Sequence, residues 1–227
     1  MADQALTMTS YARCTAQFSI MARFMEGDGD MKGLIYVTEA PARGSALNMA
    51  RIVGRDPETT QVVRRFVTCK GVVNCMAATR GGLCVGMSDG ILSVCDRNGS
   101  ERHCVKAHAA SIHALCTPAS HMLWSCGADA LVKPWALETL SPLRTYRGHT
   151  GPVRCLVALP STVAGEAHTV WSGSDDRTLA VWDESGTTAT ASIEQSAAPR
   201  VMCAQVRRPN PQPRPLEQAR RVWGGWA

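Results

Sequence analysis

The sequence predicts an all-β fold built from a repeated four-stranded unit. On two occasions an aspartate in a turn is followed six residues later by a tryptophan, at Asp129 and Trp135 and again at Asp176 and Trp182. Around each pair, short apolar or β-branched runs alternate with turn residues, which is the pattern of a small antiparallel sheet. A pattern that recurs with a period of roughly 40 residues indicates a structural repeat.

A third copy of the unit precedes these two, with its turn aspartate at Asp89 and with Cys95 at the tryptophan position. The three aspartates follow one another at steps of 40 and 47 residues, a difference that surface loops absorb in repeat proteins. Aspartate suits such turns because its side chain accepts hydrogen bonds from nearby backbone amides.

In each copy the turn signals separate four predicted strands. Pro134 falls inside one of them, and because proline has no N–H to give to the sheet, we expect a bulge beside it. The predicted strands are 72–78, 82–87, 91–95 and 101–106 in the first copy, 112–117, 121–127, 131–136 and 141–147 in the second, and 153–159, 168–174, 178–183 and 187–194 in the third.

Residues 17–68 are interpreted as a degenerate first unit, because four β-like runs follow one another there. The alternative is an N-terminal helix over 11–25, whose face would carry Tyr11, Cys14, Phe18 and Met21. The β-like runs are 18–24, 33–38, 47–53 and 60–68.

Residues 199–227 are interpreted as the start of a further unit. Residues 199–206 have the pattern of a first strand, and after a loop rich in proline and arginine Val222 aligns with Val170. In that alignment Ala227 falls on Asp175, one residue before the turn aspartate is due. We therefore expect the chain to stop within a second strand, leaving an open arc of sheets with apolar flanks. Such an arc would be poorly soluble alone or would depend on a partner or on the missing segment.

The best copy opens on Gly148-His149 and closes on Trp182-Asp183, and residues 72–183 resemble WD-repeat β-propeller blades. The resemblance extends weakly to 17–68 and 200–227. It implies an all-β WD-repeat β-propeller of about four blades plus an incomplete fifth, in an open or incomplete ring. The implied segments are an N-terminal extension at 1–16, a degenerate first blade at 17–68, blades at 69–108, 109–149 and 150–198, and a partial blade with a Pro/Arg-rich loop at 199–227.

In the family that the chain resembles, a hydrogen-bonded tetrad of His, Ser or Thr, Asp and Trp ties a blade together. A buried indole N–H needs an acceptor, which a serine hydroxyl supplies, and a fully satisfied polar network makes a blade rigid. Ser174 is an alternative to Ser172 in the best copy, while the copy around Asp89 lacks the histidine and the tryptophan. The implied tetrads are His108, Ser125, Asp129 and Trp135, and His149, Ser172, Asp176 and Trp182.

The positive charge of the chain is confined to one tract. Between Arg200 and Arg221 there are six arginines and a single acid, Glu217, and this tract carries the whole net charge of +5. A body without net charge disfavours a general nucleic-acid surface. The tract is interpreted as a solvated loop; a docking site for acidic or polyproline-binding partners and a nucleic-acid contact are the alternatives.

The ten cysteines form no Cys-x-x-Cys pair, and most of them lie in apolar strand-like runs. Buried free thiols indicate a reducing compartment, so we expect a cytoplasmic location. No run approaches the length of a membrane span, and the N-terminus, with Asp3 and no apolar core, does not resemble a secretory signal. A mitochondrial presequence carrying Arg13 and Arg23 is the alternative.

No catalytic residue, metal site or cofactor is predicted, because the chain has no nucleophile elbow, phosphate loop, metalloprotease motif or dinucleotide fingerprint.

Trp124 and Trp171 hold equivalent positions and are assigned to packing between blades. A zinc site is disfavoured because its spacing matches no Cys/His motif and because strand alternation puts His113 and Cys116 on opposite faces. That site would use His103, Cys104, His108, His113, Cys116 and His121.

The resemblance implies a non-catalytic scaffold for protein–protein interaction, whose partners are proteins or peptides that dock on a propeller face. The alternative starts from residues 132–140, which are also similar to a blade in the propeller portion of some inositol polyphosphate 5-phosphatases. The chain would then be the regulatory N-terminal part of a longer enzyme. The loop positions expected on the docking face are Ser88, Ser111, Thr150, Asp175 and Arg177.

Overall fold

All regular secondary structure in the described part of the computed structural model is β-strand, which confirms the predicted fold class. The strands form four antiparallel sheets. No helix among the described residues has the length and apolar character needed to cross a membrane. The structure describes residues 21–23, 35–39, 49–56, 59, 61–65, 69–79, 81–119, 121–159, 169–183, 189 and 191–200.

Three of the sheets are meanders of four consecutive strands, and the N-terminal sheet has five. Sheet I contains β1 (Met21–Arg23), β2 (Ile35–Glu39), β3 (Met49–Arg55), β4 (Val62–Arg65) and β5 (Cys69–Lys70). Sheet II contains β6 (Val73–Thr79), β7 (Gly82–Met87), β8 (Ile91–Asp96) and β9 (Glu101–Lys106). Sheet III contains β10 (Ile112–Ala119), β11 (Met122–Gly127), β12 (Val132–Ala136) and β13 (Ser141–Pro142), and sheet IV contains β14 (Val153–Leu159), β15 (Thr169–Ser174), β16 (Thr178–Trp182) and β17 (Ala191–Glu194).

The strands of sheets II, III and IV lie where the turn signals predicted them, apart from the outermost strand of sheet III. β13 covers two residues of the predicted 141–147. Of the predicted strand 187–194 the structure describes 189 and 191–194, and β17 covers 191–194. An outermost strand pairs along one edge only, so few sequence constraints act on its length.

The bulge expected beside Pro134 is wrong. Pairing of β11 with β12 runs without a register shift from Met122 and Ala136 to Cys126 and Val132. The carbonyl of Pro134 accepts a hydrogen bond from Leu143 N at 2.9 Å, so the nitrogen of Pro134 faces the same outer side. The absent N–H of Pro134 therefore lies on the side of the short outermost strand β13, so the central pairing of β11 with β12 loses no hydrogen bond.

Sheet I occupies the region predicted as a degenerate blade. Residues 21–23 form strand β1, so the alternative helix over 11–25 is not present in these three residues. β5 lies within the predicted segment 69–108, yet it pairs with β3 of sheet I. The predicted N-terminal extension, and the predicted partial blade except Pro199 and Arg200, lie outside the described residues.

The hydrophobic cores lie between the sheets, one at each junction. Ile52 of sheet I packs with Met76 and Leu83 of sheet II, Leu92 of sheet II packs with Leu115 of sheet III, and further clusters continue this pattern to sheet IV. The first strand β10 lies between the first strands β6 and β14 and contacts both. The described sheets therefore stand side by side about their first strands and form an arc that does not close.

A thiol faces a small residue at the same place in sheets II, III and IV. A Cβ added at Gly86 would lie 2.6 Å from Cys75 Sγ and 2.8 Å from Ile112 Cγ2, and one added at Gly173 would lie 2.7 Å from Cys155 Sγ. In sheets II and IV the glycine opposite the thiol therefore leaves no room for a second sulfur. The thiol is on the first strand in two sheets and on the second strand in sheet III. The three pairs are Cys75 with Gly86, Ala114 with Cys126, and Cys155 with Gly173.

Gly86→Cys is expected to lower the free energy of unfolding by about 1–3 kcal/mol, because a second sulfur overfills the pair. The double variant Cys75→Ala/Gly86→Cys copies the pair found in sheet III and should recover the part of that loss that comes from the two sulfurs, while the close contact with Ile112 Cγ2 remains. Urea unfolding of wild type and both variants gives the comparison. Equal losses in the single and double variants would contradict the one-sulfur rule.

Candidate functional site

In sheet IV four side chains form a continuous hydrogen-bonded chain. Trp182 Nε1 donates to Ser172 Oγ at 2.8 Å, Ser172 Oγ lies 2.7 Å from His149 Nε2, and His149 Nδ1 lies 2.9 Å from Asp176 Oδ2. The histidine, serine and tryptophan are buried. The structure brings Ser172 to the indole, whereas Ser174 Oγ donates to the carbonyl oxygen of Gly151 at 2.9 Å.

Sheet III repeats this arrangement with nearly the same distances. Trp135 Nε1 donates to Ser125 Oγ at 2.8 Å, Ser125 Oγ lies 2.7 Å from His108 Nε2, and His108 Nδ1 lies 2.8 Å from Asp129 Oδ1. In both sheets the serine and the tryptophan come from adjacent strands, and pairing in register places them on one face. The eight residues that the resemblance implied therefore form two separate hydrogen-bonded sets of four, one in sheet III and one in sheet IV.

A neutral histidine satisfies every group of the tetrad. With the proton on Nδ1, the ring donates to the carboxylate and accepts the serine O–H at Nε2, while the serine oxygen accepts the indole N–H. A proton added at Nε2 would put two donors against each other, and the serine hydroxyl would need another acceptor. For Ser125 that acceptor is the carbonyl oxygen of Lys133, 3.4 Å away.

The tetrad carboxylates also hold two loops of each blade. Asp176 accepts from Thr150 N and from Thr178 N, both at 2.9 Å. Burial opposes ionisation of Asp176, but hydrogen bonds from Thr178 and Thr150 prevail and lower its pKa. Asp129 accepts in the same way from Ala109 N at 3.1 Å and Leu131 N at 3.2 Å. The loop before each first strand is therefore tied to the turn between the second and third strands.

Thr178 is a member of this network that the sequence interpretation missed. Its Oγ1 donates to Asp176 Oδ1 at 2.7 Å and lies 2.9 Å from His149 Nδ1. The signal was present in the sequence, because a threonine two residues after a turn aspartate is placed to bond its carboxylate. Sheet III has Leu131 at this position and lacks the additional hydroxyl.

Sheet II has no tetrad at the corresponding positions. Val85 stands where the serine would be and Cys95 where the tryptophan would be, and both are part of the core shared with sheet I. Asp89 Oδ1 accepts from Ile91 N at 3.1 Å within its own turn. Apolar packing replaces the polar network in this blade.

The stability of the protein is expected to fall as the pH drops below 6.5, the ordinary pKa of histidine, because of His108. Burial outweighs the hydrogen bond that His108 donates to Asp129 and lowers the pKa of His108 from its ordinary value of 6.5. The unfolded chain therefore takes up a proton at a higher pH than the folded chain does. The stability that His108 contributes is complete above 6.5 and is lost as the pH falls toward its pKa in the folded state.

His108→Gln should flatten this dependence, which urea midpoints measured at pH values above and below 6.5 will show. His121→Gln is the matched control, because His121 is exposed at the other end of sheet III. If the pH dependence of the urea midpoint is the same in His108→Gln as in wild type, His108 is not its cause.

A row of polar residues on the first strands links neighbouring sheets. Near its start, the first strand of each of sheets II, III and IV shifts register at one position, which re-aims the side chain there. Asn74 Nδ2 donates to the carbonyl oxygen of Ile112 at 3.0 Å, and His113 Nδ1 donates to that of Val153 at 2.8 Å. The sequence interpretation missed this row, whose signal is the equivalent spacing of its members. The register shifts fall at Asn74, His113 and Arg154.

The five residues expected on a docking face lie at one end of the sheets. Because Ile112 pairs with Gly127 and Val153 with Ser174, the loop before each first strand meets the turn between the second and third strands. We call this end the loop end; it comprises residues 88–90, 107–111, 128–131, 147–152 and 175–177. The five residues are Ser88, Ser111, Thr150, Asp175 and Arg177.

These five differ in how free their side chains are. Ser88, Thr150 and Arg177 are exposed. Ser111 Oγ accepts from Asn74 Nδ2 at 2.6 Å. Asp175 Oδ2 accepts from Arg154 Nε at 2.8 Å, and this hydrogen bond is the main reason that the pKa of Asp175 is lowered. Ser111 and Asp175 are thus already engaged within the protein.

The residues of the disfavoured zinc site are separated by the fold. His108 belongs to a tetrad, His113 bonds to Val153, and Cys116 is buried in the core between sheets III and IV, where burial raises its pKa to about 12. Within the described ranges, no three His, Cys, Asp or Glu side chains are grouped so that they could hold a metal ion.

Four-stranded sheets placed side by side, with the same His–Ser–Asp–Trp network in two successive sheets, define a segment of a WD-repeat β-propeller. The resemblance is confirmed by three similar curated proteins, all of the WD-repeat type. No protein-family model matches the chain.

The similar proteins share limited parts of their length with the chain. The probable E3 ubiquitin ligase complex SCF subunit scon-2 of Neurospora crassa is 27% identical over 104 residues, 45% of this chain and 16% of that protein. Telomerase protein component 1 of Mus musculus is 27% identical over 137 residues, 56% of this chain and 5% of that protein. An uncharacterized WD repeat-containing protein of Schizosaccharomyces pombe is 33% identical over 63 residues, 28% of this chain and 17% of that protein. The chain therefore spans less than a fifth of each relative.

Proposed function

We propose that the chain is a non-catalytic scaffold for protein–protein interaction and that its partner docks on the loop end. The observation that carries this proposal is that loops from three sheets meet there and that the tetrad carboxylates hold those of sheets III and IV in place. Loops that are already ordered lose little conformational freedom on binding, so more of the contact energy contributes to affinity. The WD-repeat type of the three relatives supports the same class of function.

Arg177 is the proposed anchor of this surface. It is exposed and has φ of 67°, in the left-handed region that non-glycine residues rarely adopt. Its backbone is held by Arg177 N donating to Ser174 O at 3.1 Å and by its own carbonyl accepting from Gln195 N at 2.7 Å. A strained, exposed arginine on a rigid turn has the features of an interface residue, and arginine is enriched among residues that dominate binding energy.

The buried thiols support a reducing, cytoplasmic setting as part of the same proposal. Six of the described cysteines are buried and free, and Cys104 is exposed and free. Burial raises the pKa of Cys155 to about 11, so this thiol stays protonated and unreactive. Such cysteines act as small core residues, which suits a compartment that keeps thiols reduced.

Proximity labelling in cells, with the full chain fused to a labelling enzyme, tests the docking surface. The variant Thr150→Ala/Arg177→Ala removes two exposed side chains of the loop end and leaves the backbone hydrogen bond of Thr150 in place. Arg97→Ala is the matched control, because Arg97 is exposed in the turn after β8 at the opposite end of sheet II.

Proteins labelled by wild type and Arg97→Ala, but depleted at least severalfold by the double variant, are the expected result. Identical labelling by all three chains, or depletion by Arg97→Ala alone, would overturn the assignment of the loop end.

A further inference from the structure

One face of sheet IV is apolar and has no described sheet against it. Trp171 pairs with Val157 and Val181 on neighbouring strands, and Leu179 pairs with Ile193, so these side chains share one face. Ile193 is 42% exposed, and the other four are partly buried. On the opposite face, Val170, Ser172, Ala180 and Trp182 are buried against sheet III.

The equivalent face of sheet III is covered by the next sheet. Trp124 holds in sheet III the position of Trp171, one residue before the tetrad serine. It is fully buried, stacks on Tyr146 with ring centroids 5.0 Å apart, and shares a core with Leu156 of sheet IV. The tryptophan at this position is therefore covered by the first strand of the next sheet.

Pro199 marks where the next first strand begins. A Cβ added at Gly173 would lie 2.7 Å from Pro199 Cγ, and Cys155 Sγ lies 3.5 Å from the carbonyl oxygen of Pro199. Ile112 has the same place beside Gly86 of sheet II, and Ile112 is the first residue of β10. Pro199 thus sits beside sheet IV as the first residue of β10 sits beside sheet II.

In sheets II, III and IV, the residue three positions after the first residue of the first strand covers the preceding sheet. Met76 packs with sheet I, Leu115 with sheet II and Leu156 with sheet III, each three residues after the start of its strand. Counting three residues from Pro199 leads to Met202, in the apolar run 201–206.

We propose that the apolar face of sheet IV is a docking surface for residues 201–206 of the same chain, with Met202 seated on Trp171. The segment follows Arg200 directly, so no long connection has to close. The contact completes the core that the face of sheet IV lacks, and it does not depend on the proposed function of the loop end.

Hydroxyl-radical footprinting of the full chain, read by mass spectrometry, tests the proposal. Trp171 should be oxidised as slowly as the buried Trp124 in wild type and severalfold faster in Met202→Asp, with Trp124 unchanged. Gln212→Asp, a charge of the same sign outside the segment, is the matched control and should leave Trp171 protected. Fast oxidation of Trp171 in wild type, or the same rate in all variants, would overturn the contact.

A photocrosslinker decides the case if Met202→Asp exposes Trp124 as well, which would mean that the fold is lost. With p-benzoylphenylalanine in place of Leu179, crosslinks to peptide 201–206 of the same chain support the proposal. Crosslinks to a second copy or to another protein, or none at all, refute it.

Discussion

Replacing Trp182 with alanine is expected to lower the free energy of unfolding by about 3–5 kcal/mol, the range for truncating a buried tryptophan. Trp182 is fully buried, and its ring lies 5.3 Å from that of Tyr146 and 6.0 Å from that of His149. Truncation opens a cavity between sheets III and IV and removes the indole donor of Ser172. Urea unfolding followed by far-ultraviolet circular dichroism measures the loss without depending on tryptophan fluorescence.

Trp182→Phe separates the two contributions, because phenylalanine keeps most of the ring and loses the N–H. Its loss should be clearly smaller, about 1–2 kcal/mol, since Ser172 loses one partner while the cavity is small. Equal losses for Trp182→Phe and Trp182→Ala would mean that the hydrogen bond, and not the packing, dominates. A loss below about 1 kcal/mol for Trp182→Ala would contradict the assignment of this residue to the core.

Gly90→Ala is expected to cost about 2–4 kcal/mol, the second large effect. Gly90 has φ of 83°, and a Cβ there would lie 2.3 Å from the carbonyl oxygen of His108 and 2.6 Å from that of Ala110. Both contacts are with backbone, which cannot rotate away. Gly90 O also accepts from Ala107 N and His108 N, so the loop that carries the tetrad histidine of sheet III would have to move.

Ala130→Gly is the matched control, because Ala130 holds the same turn position in sheet III with φ of 62°. Removing its methyl group relieves left-handed strain and adds unfolded-state freedom, so the change should stay within about 1 kcal/mol. Thermal or urea unfolding of the two variants gives the contrast. A Gly90→Ala protein as stable as wild type would show that the loop 107–110 adapts without cost.

The tetrads were implied by the resemblance to WD-repeat blades, and local spacing supported two of their members. Asp129 and Asp176 each stand six residues before their tryptophan, and the strand period of two brings serine and tryptophan to one face. The choice between Ser172 and Ser174 was open, since both serines lie on the same face. It was decided by register, which places Ser172 next to the indole and Ser174 beside Gly151.

Contacts between sheets could not be derived in the same way. The hydrogen bonds of Asn74 to Ile112 and of His113 to Val153 span 38 and 40 residues. They depend on the bulge in each first strand and on how closely adjacent sheets approach. The pairing of β5 with β3 is of the same kind, because it depends on where sheet I turns rather than on any local pattern.

By itself the sequence determined an all-β fold that repeats a four-stranded unit, and its resemblance to WD-repeat blades implied a polar tetrad in two of these units. These features rest on side-chain alternation and turn chemistry, which act over a few residues. Only the tertiary structure decided which serine meets the indole, which polar residues join one sheet to the next and which face of sheet IV has none of the described sheets against it. Those outcomes depend on register and on packing between sheets, where the interacting groups are dozens of residues apart.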